Sequence, residues 1–274
     1  MAIPPEENPQ GPTGKEREQE REQELERALL RLDSAVQRVG ADILAIQEID
    51  LNQSRSFHIH HVAEVARAMN TEHWAFAPTI VGTPGSSWNR IENESQKIVT
   101  STSENFKDTF YGIGLISRVP VVKWHRLELG RSRIGLPLAV PRKRGVGVAY
   151  VQDEPRVAII AELENGFTVA STHLSFVPGV NYLQLKKVER FVSQLPGKPI
   201  ILGDLNLPWN LPTKTGWKSL VTQATYPSWG AKIQFDYVLT TSEVFDSHII
   251  TPITLPPLGL SDHLPIGVEI SSRF

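Results

Sequence analysis

The sequence contains no cysteine among its 274 residues. This absence excludes disulfide frameworks, thiolate zinc sites and cysteine nucleophiles, while it leaves the redox compartment open. The chain also lacks any apolar run close to the roughly 20 residues that cross a bilayer. Its N-terminus, MAIPPEENPQGPTGKEREQ, lacks the apolar core of a secretory signal. For the chain as written we therefore expect no transmembrane segment and a cytoplasmic location.

An excess of one charge is missing too, because 28 basic residues face 30 acidic ones and the formal net charge is -2. Composition alone thus gives no indication of a polyanionic partner. One basic concentration lies between His125 and Arg156. It contains Arg126, Arg131, Arg133, Arg142, Lys143 and Arg144. Two interpretations stay open: a surface hairpin, or a wall of a cleft that attracts polyphosphate, nucleic acid or anionic headgroups.

With 40% hydrophobic residues, the chain can bury a sizeable core. No Gly/Ser-rich linker divides its middle, so we expect a single domain over 15–274, preceded by a disordered segment over 1–14. Leucine and valine recur at three- and four-residue spacing from Leu25 to Val39, which predicts an amphipathic helix that ends at Gly40. Further helices are predicted over 57–69 and 181–195.

Apolar runs bounded by turn residues predict the strands. Their ranges are 42–48, 74–80, 111–117, 121–127, 156–162, 167–172, 200–202, 234–239 and 266–270. Strands and helices alternate early in the chain, whereas hairpins such as the one turning at Asn165-Gly166 dominate its middle. This order predicts an α/β arrangement with mixed sheets.

Several of these strands end in a polar side chain. The residues concerned are Glu48, His173, Asp204 with Asn206, and Asp236, while Asp262-His263 precedes the last strand. Crowded carboxylates repel one another, and burying them unpaired costs several kcal/mol, roughly, so a cation should lie among them. Oxygen ligands without cysteine suit Mg²⁺ or Mn²⁺, and histidine supplies a cation or proton donor near neutral pH. These are the components of a metal-assisted phosphoester hydrolase.

Five motifs follow one another along the chain: ILAIQE (43–48), STHLS (171–175), ILGDLN (201–206), FDYVL (235–239) and SDHLP (261–265). In this order they resemble the endonuclease/exonuclease/phosphatase superfamily. That superfamily includes pancreatic-type deoxyribonuclease, apurinic endonucleases, neutral sphingomyelinases and inositol polyphosphate 5-phosphatases. A weaker element, YGIGLISRVPV (111–122), is similar to a strand and turn of the same family. The resemblance implies a four-layered sandwich of two mixed β-sheets flanked by helices, with the active site at one rim.

The resemblance also implies roles for the acidic residues. Glu48 would be the main metal ligand and Asp262 a second, outer one. Asp204 would orient and deprotonate the attacking water, and Asn206 would hold the phosphate or the nucleophile. The cofactor would be Mg²⁺ or Mn²⁺, and we expect a monomer that acts on a phosphate ester such as nucleic acid, a phospholipid headgroup or a small phosphodiester.

The histidines take the remaining roles in the resemblance. His263 would donate a hydrogen bond to the scissile phosphate, with Asp236 fixing its ring. His173 would be the second phosphate-binding histidine. In-line displacement would then proceed without a covalent intermediate.

One departure from the family pattern concerns the first strand, which normally ends in an asparagine within a TxNI motif. Asn8 is the early candidate here, but it lies in PPEENPQGP, whose prolines argue against a central strand. Either the chain starts downstream of the true first strand or the strand has been lost, which would leave a gap in a sheet and a weakened metal site. The alternative function is therefore a catalytically impaired member that binds phosphorylated ligands. A missing upstream segment with an export signal would make the protein secreted.

Two further patterns have competing interpretations. His58, His60 and His61 have the spacing of a transition-metal site on one helix, but without an acidic or cysteine partner we interpret them as a solvated helix face. Trp209 and Trp229 flank the predicted cleft. We expect core or rim packing for both, and the alternative is stacking on a substrate ring.

Overall fold

The computed structural model describes residues 14–103, 107–141 and 146–273, without the side chains of 14–16, 95, 138–141 and 146. Four helices occur in this part of the chain: α1 (Gly14–Val39), α2 (His61–Met69), α3 (Val180–Val192) and α4 (Ser242–Ser247). Asn8 and all of the segment predicted to be disordered, except Gly14, lie outside the described residues. No helix of the described part is long and apolar enough to cross a membrane.

The strands alternate with these helices and with three short 3₁₀ turns. They are β1 (Ile43–Leu51), β2 (His73–Gly82), β3 (Trp88–Asn89), β4 (Val99–Thr100), β5 (Phe110–Ser117), β6 (Val121–Gly130), β7 (Leu136–Pro141), β8 (Val146–Val151), β9 (Arg156–Leu163), β10 (Phe167–His173), β11 (Lys198–Asp204), β12 (Lys218–Ser219), β13 (Asp236–Thr240), β14 (His248–Ile253) and β15 (Gly267–Ser272).

Two larger sheets and two ribbons form from these strands. The first sheet has the order β1-β5-β2-β3, with β4 also on β2, and its described pairs are antiparallel. The second sheet has the order β12-β13-β11-β10-β9-β6 and contains the parallel pair β10/β11. The pairs β7/β8 and β14/β15 stand apart as ribbons. Among the described residues, β1 pairs only with β5, apart from one bridge between Leu51 and His60.

Three apolar clusters stack these elements into layers. One cluster lies between α1, α2 and the first sheet and includes Val36 and Val62. A second lies between the two sheets, and a third packs Leu185 and Val188 of α3 against the second sheet. The α/β fold with helices flanking the sheets is therefore confirmed.

The continuous apolar strands follow from this layering. In β9, Val157 and Ile159 face the core between the sheets, while Ala158 and Ile160 face the core beneath α3. Both faces of the strand are buried, so neither alternate position can be polar. This explains why RVAIIAEL has an unbroken apolar run where a half-exposed strand would alternate.

The structure corrects the predicted start of α2 and the role given to its histidines. The helix was expected from Phe57, but Phe57 and His58 have φ of 57° and 60°, which a right-handed helix excludes. His60 is instead the N-cap, and its ring nitrogen accepts from the amide of Ala63. The His60 ring packs edge-on against Trp74 and Phe76, so this histidine is part of the core rather than of a solvated face.

Several elements escaped the sequence analysis. No strand ranges were predicted for β7 and β8, although a surface hairpin was one of the two interpretations of the basic stretch that contains them. Strand β14 and the short helix α4 were missed as well. Strand β1 also runs past Glu48, the residue at which it was expected to end, because the residues from Ile49 to Leu51 continue to pair with β5.

Candidate active site

Three adjacent strands of the second sheet place three polar side chains on one rung of the sheet. The parallel pair β10/β11 sets His173 opposite Asp204, and the antiparallel pair β11/β13 sets Asp204 opposite Asp236. Gly203 permits this close pairing, since its φ is +137° and a Cβ there would overlap the carbonyl oxygen of Thr172. The strand ends predicted to converge therefore do so at one rim of the sheet.

Asp204 is held in a defined orientation at the centre of this rung. Its side chain is only 11% exposed, and its Oδ1 accepts a hydrogen bond of 2.8 Å from the amide of Asn206. Burial and then the charge of Asp236 raise the pKa of Asp204 to about 7, although His263 and the Asn206 amide oppose them. A carboxyl group with this pKa can accept a proton near neutral pH.

The imidazole of His263 is paired with the neighbouring carboxylate. Its Nδ1 lies 2.7 Å from Oδ2 of Asp236, and its ring centroid is 5.0 Å from that of Tyr226. Burial lowers the pKa of His263, but the hydrogen bond and charge of Asp236, with the charges of Asp204 and Asp262, outweigh burial and raise the pKa to about 9. His263 is thus cationic at neutral pH, with Nδ1–H donating to Asp236.

His173 has the opposite protonation preference. Burial, followed by the charges of Arg156 and His263, holds the pKa of His173 well below its usual range. Its Nε2 lies 3.2 Å from Nδ2 of Asn206, whose Nδ2 also donates to the carbonyl of Leu174 at 3.0 Å. Because the ring is neutral, Nε2 can accept from the amide, which fixes both side chains.

Glu48 reaches the site from the other sheet. The register of β1 shifts between Ile46 and Ile49, and Glu48 lies in this bulge with a φ of 57°. A bulge re-aims the side chain out of the pleat. The Glu48 side chain is 62% exposed, and its Oε1 lies 3.9 Å from Nδ1 of His173.

Asp262 precedes His263 in the chain, and its charge acts on the His263 ring. Its residue is exposed, and its backbone carbonyl accepts from the amide of Ser228 at 2.6 Å. Among the described residues, no three His, Asp or Glu side chains cluster as a metal site. A hard cation such as Mg²⁺ nevertheless needs only one or two protein carboxylates, since it keeps waters and binds substrate phosphate. The exposed oxygen donors of Glu48 fit such a sparsely ligated ion.

Sequence analysis missed three residues that surround the site. Arg156 is 4% exposed, its guanidinium is 3.5 Å from the carboxylate of Glu154, and its charge acts on His173. Burial raises the pKa of Glu154, which Arg156 partly offsets. Tyr226 packs on His263. A lone arginine before an apolar run was the available signal, but arginine in such a position is ordinarily exposed.

Two arginines in the described part of the basic stretch are engaged by other parts of the chain. Arg126 is buried, and its Nη1 donates to the carbonyls of Pro78 and Lys97, so it has a structural role. Arg131 stacks over the ring of Trp88 at 5.4 Å. The remaining basic group, Arg142, Lys143 and Arg144, lies outside the described residues.

The two tryptophans beside the cleft are exposed, so neither packs into the core. Trp209 is 82% exposed and Trp229 is 75% exposed. Trp209 and Asn210 both have left-handed φ, 55° and 57°, in a turn closed by a hydrogen bond from the amide of Leu211 to the carbonyl of Pro208. Left-handed conformations cost about 1 to 2 kcal/mol for residues with a Cβ. The turn therefore keeps Trp209 in a backbone conformation that residues with a Cβ disfavour, and its indole stays exposed.

Comparison with known proteins places this geometry in context. Residues 18–263 match the model of the "Endonuclease/Exonuclease/phosphatase family". No curated protein matches the chain. Solved structures with the same fold include a family protein from Leptotrichia buccalis C-1013-b, 13% identical, with a TM-score of 0.53 over 90% of this chain and 93% of that one.

Two further structures differ in how much of their length is matched. Mannosyl-6-phosphatase Bt3783 of Bacteroides thetaiotaomicron VPI-5482 is 13% identical, with a TM-score of 0.50 over 88% of this chain and 90% of that one. A family protein from Beutenbergia cavernae DSM 12333 is 16% identical, with a TM-score of 0.49 over 89% of this chain, which spans 64% of that one. At these identities the Leptotrichia and Bacteroides structures show the fold alone. The match over residues 18–263 shows more: this chain belongs to the endonuclease/exonuclease/phosphatase family, a family of phosphoester hydrolases.

Proposed function

We propose that the chain hydrolyses a phosphodiester or phosphomonoester with Mg²⁺ or Mn²⁺, by direct attack of a water that Asp204 activates. The observation that carries this proposal is the rung of the sheet on which Asp204 lies between His173 and Asp236, with Asp236 2.7 Å from His263. Asp204 has a pKa of about 7, whereas His263, held by Asp236, has a pKa of about 9. Groups whose environments separate their protonation states in this way provide a base and an acid together.

Asp204 is the proposed general base. The Asn206 amide occupies its Oδ1, so Oδ2 is the oxygen that would receive the proton of the water. The water oxygen forms a bond to phosphorus as the bond to the ester oxygen breaks. The ester oxygen leaves with that electron pair and takes a proton from solvent. Holding water and phosphorus in line contributes through orientation as well as through proton transfer.

The phosphate is proposed to lie between the two histidines and Asn206. His263 would donate from Nε2 to a non-bridging oxygen, because its Nδ1 is already bonded to Asp236. Neutral His173 would donate from Nδ1 to a second oxygen, and Asn206, whose Nδ2 faces His173 Nε2 and the carbonyl of Leu174, would hold that ring in place. Preorganised donors of this kind stabilise the charge that develops on the phosphoryl oxygens.

Glu48 is the residue proposed to hold the divalent ion, with Asp262 as an outer ligand. When bound, the ion would supply positive charge to the phosphate oxygens and lower the repulsion between the phosphate and Asp204. Mannosyl-6-phosphatase has the same fold and a phosphatase name, which supports a phosphate ester as the substrate.

A generic phosphodiester tests the proposal. Purified protein should release p-nitrophenol from bis(p-nitrophenyl) phosphate with Mg²⁺ or Mn²⁺, and EDTA should abolish the release. Asp204→Asn should lower kcat by about 10² to 10⁴, since it removes the base and preserves the shape. Asp246→Asn, which changes an exposed carboxylate of α4, is the matched control and should retain full activity. Turnover that persists after chelation would contradict the metal mechanism.

A second candidate is a family member that binds phosphorylated ligands without efficient turnover. It is favoured by one observation: among the described residues no group of three possible metal ligands includes Glu48, and one edge of β1 beside it is largely unpaired there. Calorimetry with inorganic phosphate and Mg²⁺ distinguishes the two functions. Tight binding without turnover of any tested ester supports the binder, whereas turnover that Asp204→Asn abolishes supports the enzyme.

A further inference from the structure

The turn that carries Trp209 forms one wall of a cavity next to the candidate active site. The cavity has a volume of about 220 Å³ and is lined by Trp209, Asn210, Gln223, Lys232, Ile233 and Gln234, together with Thr222 and Ala224. This is below the ~300 to 1,000 Å³ typical of sites for drug-sized ligands, so it suits a single flat ring system.

Backbone pairing continues from the catalytic rung into this cavity. The amide of Leu205 donates to the carbonyl of Phe235 at 2.9 Å, so the segment after Asp204 runs beside the segment before Asp236. The side chain of Gln234, which lines the cavity, links it to Asp236, because its Nε2 donates to the Asp236 carbonyl at 3.1 Å. A group bound in the cavity would therefore lie at the end of the same two segments that carry the catalytic carboxylates.

The chemistry of the lining indicates what it would bind. Trp209 offers an exposed aromatic face, held outward by the left-handed turn. Lys232 is exposed and forms no ion pair among the residues that the structure describes, so its charge is available to an anion. Gln223 adds an amide at the same wall. An aromatic face, a cation and an amide are the groups that recognise a nucleobase attached to phosphate.

We propose that this cavity is a nucleobase subsite, in which Trp209 stacks on the base of a nucleotide or nucleic-acid substrate and Lys232 neutralises an adjacent phosphate. The inference rests on the proposed hydrolase function, which would place the scissile phosphate beside Asp204. Trp209 is a specificity residue here, since it touches the base and not the reacting atoms. A lipid surface would also attract exposed tryptophan, but the concave shape and polar amides of the cavity favour a base.

Binding and turnover are measured separately so that the two proposals can fail independently. Calorimetry compares adenosine 5′-monophosphate with ribose 5-phosphate, which lacks the base. The wild-type chain should bind the nucleotide about 5- to 150-fold more tightly, the range expected for stacking on one aromatic side chain. Trp209→Ala should remove this preference, and Trp209→Phe should retain most of it. Trp229→Ala changes an equally exposed tryptophan that does not line the cavity, and should leave the preference intact.

Turnover supplies the second readout. The ratio of kcat/KM for thymidine 5′-p-nitrophenyl phosphate to that for methyl p-nitrophenyl phosphate should fall in Trp209→Ala by the same factor, with the methyl ester unaffected. A base preference without turnover of either ester would refute the hydrolase and retain the subsite. Turnover without a base preference would refute the subsite and retain the hydrolase.

The remaining outcomes overturn the subsite. The subsite is refuted if the chain binds the two ligands equally or binds neither. It is also refuted if Trp229→Ala loses the base preference as much as Trp209→Ala does. Loss of binding to phosphatidylserine vesicles in Trp209→Ala, with no base preference, would assign the tryptophan to a lipid surface instead. A single-stranded oligonucleotide in place of the mononucleotide distinguishes nucleic acid from a free nucleotide as the source of the base.

Discussion

The pair formed by Asp236 and His263 makes the sharpest prediction about the proposed chemistry. Raising the pKa of His263 from 6.5 to about 9 corresponds to about 3 kcal/mol in favour of the protonated ring. Asp236→Asn removes the hydrogen bond and charge that oppose burial most, so the pKa should fall toward its ordinary value of 6.5 while the charges of Asp204 and Asp262 still act on the ring. The His263 ring should then lose its proton near pH 6.5 instead of near pH 9. The alkaline limb of the rate profile should therefore move to lower pH.

The size of the effect depends on pH in a way that can be calculated. At pH 8 the protonated fraction of His263 should fall from about 0.9 to about 0.03, a rate loss of about 30-fold, whereas at pH 6 the loss should be less than about twofold. Any loss of ring orientation would add a factor that does not depend on pH. His263→Ala should lower the rate at least as much at both pH values.

The assay is kcat/KM for bis(p-nitrophenyl) phosphate from pH 5.5 to 10, with the His263 ring titrated independently by NMR. The double variant should be little worse than His263→Ala, because an orienting carboxylate has no role once the ring is gone. Asp246→Asn is the control for loss of one exposed carboxylate. An unmoved alkaline limb, with strictly additive losses in the double variant, would refute the proposed pairing.

Other predictions test the ion, the strand packing and the core. Glu48→Gln should raise the Mg²⁺ concentration needed for half-maximal rate by about tenfold or more, whereas Asp204→Asn should retain Mg²⁺ affinity by calorimetry; equal losses would contradict their separate roles. Gly203→Ala should lower the midpoint of urea denaturation, since its Cβ would overlap a neighbouring carbonyl; an unchanged midpoint would refute the close packing. Burial lowers the pKa of His60 to about 4, below its unfolded value of 6.5, so its contribution to stability is complete above pH 6.5 and is lost as pH falls toward 4. His60→Phe should remove about 2 kcal/mol of the stability difference between pH 7 and pH 5 measured by urea denaturation, and an unchanged difference would contradict neutral burial.

Much of the fold could be predicted because apolar runs and turn residues are local signals. The strand carrying Ile200 and Ile201 lies between two buried faces, and only an unbroken apolar run satisfies both. The helix after Gly179 likewise shows its buried stripe in the spacing of Leu185 and Val188. Ribbon β14/β15 was harder to predict in full, because several of its residues are exposed and its pattern is diluted.

The sequence indicated which polar residues follow the buried strands, but not how they are arranged. The motif around Asp204 indicates a polar group after a buried strand, yet sequence alone does not state which residue of β13 lies opposite it. The bulge at Glu48 depends on pairing with β5, which is a long-range contact with no local signal. Arg156 was missed for the same reason: its burial depends on acidic neighbours that only the folded chain supplies.

The shared rung of His173, Asp204 and Asp236 would make the proposed activity depend on the alignment of three strands. Side chains alternate between the two faces of a sheet, so a one-residue deletion between Lys198 and Leu202 would turn Asp204 toward the opposite face while leaving the strand apolar. Insertions in the loop between Ser193 and Gly197 would leave the rung intact, because β11 would still pair with β10 in the same register from Lys198 onward. The chain can therefore accept length changes in its connections far more readily than within these three strands, and variation in what it binds has room to arise in its loops without disturbing its chemistry.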